Sequence, residues 1–229
     1  GNTICVGVTC DDGTLIALDA GTGLSVWGRQ LLSTPLGRGA GEFNLLVTHS
    51  HYDHIQGFSF FIPALIPGNK LHVYGIDEMP DTVADVLESQ MTPIFSPMQT
   101  LANFGSSINY EALPSLETVR IGDCSVSMRD LPHDTSRALG VKLVGPNATV
   151  VYVPDVVYKE SQTCSSAIDF YRGADVLIHD ATSSNHYRNI LSADASDDCR
   201  DAVNVAGAAG IPVSERVRSR GVSCTRGSP

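Results

Sequence analysis

No stretch of the 229-residue chain carries the roughly 18 consecutive apolar residues that a membrane-spanning helix needs, so no membrane partner is expected. Among the six cysteines, at 5, 10, 124, 164, 199 and 224, there is no Cys-x-x-Cys pair. A chain of this length builds its core without covalent staples, so thiols are expected rather than a disulfide framework. Basic residues are scarce as well: Lys plus Arg is 15 against 25 for Asp plus Glu, a formal net charge of −10. That excludes a surface built broadly on phosphate neutralisation, and with it a long polynucleotide partner, while leaving room for bound cations. Internal repeats, low-complexity segments and linkers are missing. What is present, 42% hydrophobic and 17% charged residues, excludes wholesale disorder and provides for a substantial core. The chain begins at Gly1 rather than Met; the cytoplasm is the expected location, with a cleaved signal peptide left open.

Short apolar runs separated by turn signals dominate the first third. Ile4–Val8 and Leu15–Leu18 flank Asp11-Asp12-Gly13 and read as a hairpin, followed at once by Asp19-Ala20-Gly21-Thr22-Gly23. Residues 24–33 carry apolar side chains at helical spacing. Phe43 to Thr48 has no breaker and no alternation, as expected of a strand buried on both faces. Further strands are expected at 71–75, 119–121, 125–128, 140–144, 149–153 and 175–178, with helices at 81–91, 164–172 and 199–209. Strands outnumber helices and the two alternate, which suits a two-sheet α/β core flanked by helices.

The chemistry-bearing feature is His49-Ser50-His51-Tyr52-Asp53-His54, at the end of the buried strand. In extended backbone His49 and His51 point the same way and can share one cation; a turn can aim Asp53 and His54 at a second. Imidazole and carboxylate suit Zn²⁺ and equally Mn or Fe. The competing reading is a polar loop of solvated histidines. His133, in a loop after a strand, could complete the first site, and Asp155, at a strand end, could bridge both ions. His72, inside an apolar strand, and His186, in a polar stretch, read as structural or solvated. Residues 84–98 read as a proline-broken surface connection with a few apolar anchors, a flap over the site being the alternative.

Asp19-x-Gly21-x-Gly23, Thr48-His49-Ser50-His51-Tyr52-Asp53-His54-x-x-Gly57, His133 and Val151–Asp155 together resemble the metallo-β-lactamase superfamily, and within it the ribonuclease Z-like and cyclic-phosphodiesterase branch. The resemblance implies a four-layer αβ/βα sandwich with a two-metal site at one edge. It places His49, His51 and His133 on one zinc, Asp53 and His54 on the other, and Asp155 between them, with Asp19 orienting the histidine loop. Ile178-His179-Asp180-Ala181-Thr182 looks like the family's H-E-A-T segment with Asp for Glu. Asp53 would then orient or deprotonate the attacking water, and His179 or Asp180 would protonate the leaving group. The implied activity is hydrolysis of a small or cyclic phosphodiester by a metal-activated water. Alternatives are a β-lactam, ester or thioester hydrolase and a non-catalytic metal-binding module. Dimers are common in that branch.

Two departures stand out. Where the branch has Gly-His-Ser-Thr, this chain reads Ala195-Ser196-Asp197-Asp198, and no His follows Gly210, where the family places a ligand of the second metal. The expected organisation is therefore a domain over 1–210 and a divergent or disordered tail over 211–229 that does not read as a core strand. A weak second metal site is expected with it.

Overall fold

The hairpin expected at the start of the chain forms from β1 (Val6–Thr9) and β2 (Leu15–Leu18), paired antiparallel with Val6 opposite Leu18. In the computed structural model, which describes residues 1–75, 82–113, 117–131, 133, 137–156, 169–179 and 223–226, the chain divides into two compact units. The first, residues 1–117 with 121–123, holds a five-stranded sheet in the order β1-β2-β3-β4-β5. Its later strands β3 (Glu42–Leu46), β4 (Lys70–Gly75) and β5 (Ser107–Ala112) run parallel to β2. Four of the five β3 residues are buried, as a central parallel strand between β2 and β4 requires.

Helix α1 (Thr22–Leu31) lies against this sheet and buries Leu24, Gly28 and Leu31. Gly28 is needed for close approach, because a Cβ there would meet the Phe61 ring at 2.7 Å. Phe61 in turn packs on Phe43 with ring centres 4.7 Å apart, and Trp27 covers Phe43 at 5.5 Å. Two single-turn helices, α2 (Tyr52–Ile55) and α3 (Ile62–Leu65), follow β3, and α4 (Val83–Ser89) follows β4. A reciprocal Thr82–Asp85 capping box starts α4. No helix of the described residues is long and apolar enough to cross a membrane.

The second unit holds a six-stranded sheet in the order β11-β10-β9-β8-β7-β6. Its strands are β6 (Thr118–Ile121), β7 (Cys124–Leu131), β8 (Ala138–Val144), β9 (Thr149–Val153), β10 (Val176–His179) and β11 (Ser223–Arg226). β7 and β9 both pair antiparallel with β8, and β10 runs parallel to β9, so β7, β9 and β10 point the same way. Lys142 on β8 donates from Nζ to the carbonyls of Phe170 and Arg172, at 3.1 and 2.8 Å, closing the carboxyl end of the turn that precedes β10.

Within 211–229, Ser223–Arg226 forms β11 and pairs antiparallel with β10, Leu177 opposite Thr225. Backbone pairing to an existing strand needs no apolar run, which is why composition did not reveal it. The helix expected over 199–209, most of that expected over 164–172, and His186 lie outside the described residues. Cys5, Cys10 and Cys124 are thiols, as expected.

Candidate metal centre

β2 and β3 run side by side and deliver Asp19 and the histidine segment to the same sheet edge: Leu18 stands opposite Leu46, and the Asp19 N–H donates to the Leu46 carbonyl at 2.8 Å. Asp19 then takes a left-handed backbone, with φ of 63°, an uncommon conformation for a residue with a Cβ. This turns the chain sharply and keeps the carboxylate fully buried beneath the histidine loop.

The two loops are locked backbone to backbone. Ala20 N–H donates to the His54 carbonyl and Gly57 N–H to the Ala20 carbonyl, both at 2.7 Å. A Cβ at Gly57 would sit 1.9 Å from the Gly21 carbonyl oxygen, and one at Gly21 would sit 2.5 Å from that of Asp53. The glycines of Asp19-x-Gly21 and His54-x-x-Gly57 are thus what lets the Asp19 turn and α2 touch.

The buried Asp19 carboxylate organises the side chains above it. Oδ1 accepts the Thr48 N–H at 2.8 Å, and Oδ2 accepts the Thr48 hydroxyl at 2.9 Å. Since that hydroxyl gives its proton to Asp19, its oxygen is left to accept from His49 Nδ1, 3.1 Å away. His54 Nδ1 lies 2.8 Å from Asp19 Oδ2 and must donate to it. Both imidazoles therefore carry their proton on Nδ1, which leaves Nε2 as the unprotonated nitrogen. His49 Nε2 lies 3.2 Å from His51 Nδ1, and His54 Nε2 lies 3.6 Å from Asp53 Oδ2. The His49 and His54 rings are 4.1 Å apart. His49 and His54 are buried; Asp53 is 56% exposed and faces solvent at the start of α2. A lone-pair nitrogen beside a second nitrogen, and another beside a carboxylate oxygen, is a donor set that fits divalent cations.

The second unit carries the other expected residues at one sheet edge. His133 follows β7, Asp155 follows β9 with φ of 21°, and His179 ends β10. His133 and Asp155 each offer a ligand atom, within 4.8 Å of one another. His179 meets the Tyr171 ring edge-on at 5.9 Å. Asp180 lies outside the described residues. His72 bonds Glu42 through Nε2 at 2.7 Å, in line with a structural role. Sequence reading gave Thr48 no task; its hydroxyl, next to His49, was the available signal.

Residues 89–98 are anchored rather than loose. Met91 is fully buried, Ser96 is buried with its Oγ 3.6 Å from Met91 Sδ, and the N–H of Phe95 and of Ser96 both donate to the Thr92 carbonyl at 2.9 Å.

The β-lactamase superfamily domain matches residues 14–213. Three solved structures share the fold at low identity. A metallo-β-lactamase fold protein, YhfI, from Bacillus subtilis is 17% identical, with TM-score 0.59 over 91% of this chain and 75% of that one. The short form of human tRNase Z is 15% identical, with TM-score 0.59 over 91% and 83%. A diphosphatase of the PhnP family is 16% identical, with TM-score 0.57 over 90% and 69%. No curated protein matches the chain in sequence.

Proposed function

Because the chain belongs to the metallo-β-lactamase superfamily, whose members are metal-dependent hydrolases, we propose that it hydrolyses a small or cyclic phosphodiester. The observation that carries the reading is the close approach of His49 Nε2 and His51 Nδ1, 3.2 Å apart, with His54 and Asp53 beside them. The names of two structures similar in fold, a tRNase Z and a diphosphatase, set its direction towards phosphate esters. His49, His51 and His133 would hold one cation, Asp53 and His54 the other, with Asp155 shared. Zinc is the proposed metal, Mn or Fe the alternatives, and the second site is the weaker. We place the enzyme in the cytoplasm, as a homodimer.

Bound divalent cations supply Lewis acidity there, lowering the pKa of water and offsetting charge on the attacking and leaving oxygens. The chain's own part is orientation and proton handling. Asp19 fixes the tautomers of His49 and His54, so neither of these two rings has to rotate or lose a proton to offer Nε2. Asp53, half in solvent, would orient the attacking water or accept its proton. His179 or Asp180 would return a proton to the leaving alcohol.

The test is a substrate panel with added Zn²⁺ or Mn²⁺: bis(p-nitrophenyl) phosphate, cyclic nucleotides and a chromogenic cephalosporin. Turnover of the first two is expected. Turnover of the cephalosporin alone would move the chain to acyl chemistry, and silence throughout would make it a binding module.

A further inference from the structure

A cavity of about 790 Å³ opens within the first unit, lined by α2 and the residues after it together with residues 89–98. Its volume is that of a small-molecule site. Ile55, Leu65 and Met98 give it apolar wall, and Phe60 and Phe95, which also line it, are 67% and 79% exposed. Phe95 belongs to a fixed turn rather than a loose one, since its N–H and that of Ser96 share the Thr92 carbonyl. Two large aromatic side chains are thus held in water beside a concave apolar surface, an arrangement that marks ligand-binding grooves.

The polar side chains of the wall are already engaged within the protein. Gln56 donates from Nε2 to the Thr3 hydroxyl at 3.0 Å, and the Ser89 hydroxyl donates to the Val86 carbonyl at 2.6 Å. The Ser96 oxygen accepts the Met98 N–H at 3.2 Å. A ligand seeking hydrogen bonds from these groups would have to displace existing ones, whereas an apolar group displaces only water. Charge narrows the occupant further. Among the described residues the one charged side chain on the wall is Arg29, on α1, and no acid lines it although the chain carries a net charge of −10. Such a wall admits an anion more readily than a cation.

The position of the cavity ties it to the candidate metal centre. Ser50 and Tyr52 line it and stand on either side of His51, and Tyr52 is followed by Asp53. Consecutive Cα atoms are about 3.8 Å apart, so the wall begins one residue away from the proposed ligands.

We propose that this cavity receives the apolar group of a small anionic ester, with Phe60 and Phe95 closing on it. As the specificity site of the hydrolysis it rests on the phosphodiester reading; as a site for apolar anions it does not.

The experiment is calorimetric titration of the full chain with diphenylphosphinate and dimethylphosphinate. Neither has an ester bond to hydrolyse, and they share the anionic group, so the difference between them reads the apolar groups alone. Diphenylphosphinate is expected to bind at least ten-fold tighter, the effect of covering roughly 60 Å² of apolar surface. Phe60→Ala and Phe95→Ala, each truncating an exposed ring, should weaken it about three- to ten-fold. Melting curves check that both variants fold. Equal affinity for the two phosphinates, or no loss in either variant, overturns the proposal.

Turnover of p-nitrophenyl phenyl phosphate and p-nitrophenyl methyl phosphate, which release the same nitrophenolate, extends the test to the reaction. The ratio of kcat/KM, phenyl over methyl, should exceed ten and fall towards one in both variants. Phosphinate discrimination without turnover of either ester would sink the proposed function and leave the apolar-anion site standing. Turnover of both esters without discrimination would do the reverse.

Discussion

One oxygen of Asp19, Oδ2, serves both sides of the histidine loop: it lies 2.8 Å from Nδ1 of His54 and 2.9 Å from the Thr48 hydroxyl that passes the constraint on to His49. Replacing that carboxylate by an amide breaks the logic, because the amide offers a single acceptor oxygen and introduces N–H donors among donors. Asp19→Asn should weaken metal binding by about 10- to 100-fold, the usual cost of losing an outer partner of a ligating histidine. Competition with a chromophoric chelator measures it. Wild-type affinity in this variant would show that the histidines need no such support.

Gly57 has an ordinary helical backbone, φ of −78°, so its requirement for glycine is purely one of space. The nearest atom to an added Cβ is a main-chain oxygen, 1.9 Å away on Gly21, which cannot rotate aside as a side chain could. Gly57→Ala should therefore part the two loops and cost about 3 kcal/mol, the upper end of overpacking penalties. For a chain of this size that is roughly a 6–12 °C fall in melting temperature. Unchanged melting would mean that the loops separate freely.

The proposed division of ligands makes Asp155 and His51 distinguishable by stoichiometry. His51→Ala removes one nitrogen from the first ion, whereas Asp155→Asn removes the carboxylate assigned to both. Because losing an outer partner already costs about 10- to 100-fold in affinity, loss of a direct ligand should cost at least that. Elemental analysis after dialysis should find Asp155→Asn with less bound metal than His51→Ala. Chelator treatment of the wild type should abolish turnover, and Zn²⁺ or Mn²⁺ should restore it. Full metal retention by Asp155→Asn would remove Asp155 from the ligand set.

Legibility followed the range of the interactions. The histidine segment could be read because strand alternation and chain proximity put His49 and His51 on one side, and burial of β3 could be read from an unbroken apolar run. The Gly21–Gly57 contact could not, since two glycines 36 positions apart carry no sign that they meet. Nor could α2, a helix of four residues inside the motif, because a single turn is too short to show a period. β5, Ser107–Ala112, was missed for another reason. It is the edge strand of the first sheet and mostly exposed: Ile108, Tyr110 and Ala112 alternate with polar residues, but only Ile108 and Tyr110 are half-buried, so no strongly apolar run marks it. β11 escaped in the same way.

Tyr110, on that edge strand, gives the pH dependence. Its hydroxyl is buried without a partner, and burial, reinforced by the negative charge of Glu88, pushes its pKa up to about 12. In the unfolded chain the phenol ionises near the ordinary value of 10.0. Between those two values the folded state holds a proton that the unfolded state has lost, so stability falls as pH rises. The contribution is complete below pH 10 and is lost on the way to 12. Tyr74, raised to about 12 mainly by burial, acts in the same direction, as does Cys5, whose buried thiol is also raised to about 12. Tyr110→Phe removes both the ionisation and the unpartnered hydroxyl. At pH 8 the variant should be as stable as the wild type or more so, since a buried polar group without a partner contributes only its desolvation cost. Between pH 10 and 12 it should lose less stability than the wild type, with the remainder due to Tyr74 and Cys5. Urea denaturation at pH 8 and pH 11 measures both differences. A variant less stable at pH 8 would reveal a hydrogen bond to the Tyr110 hydroxyl, and an identical alkaline loss would mean that the phenol ionises equally well in the folded chain.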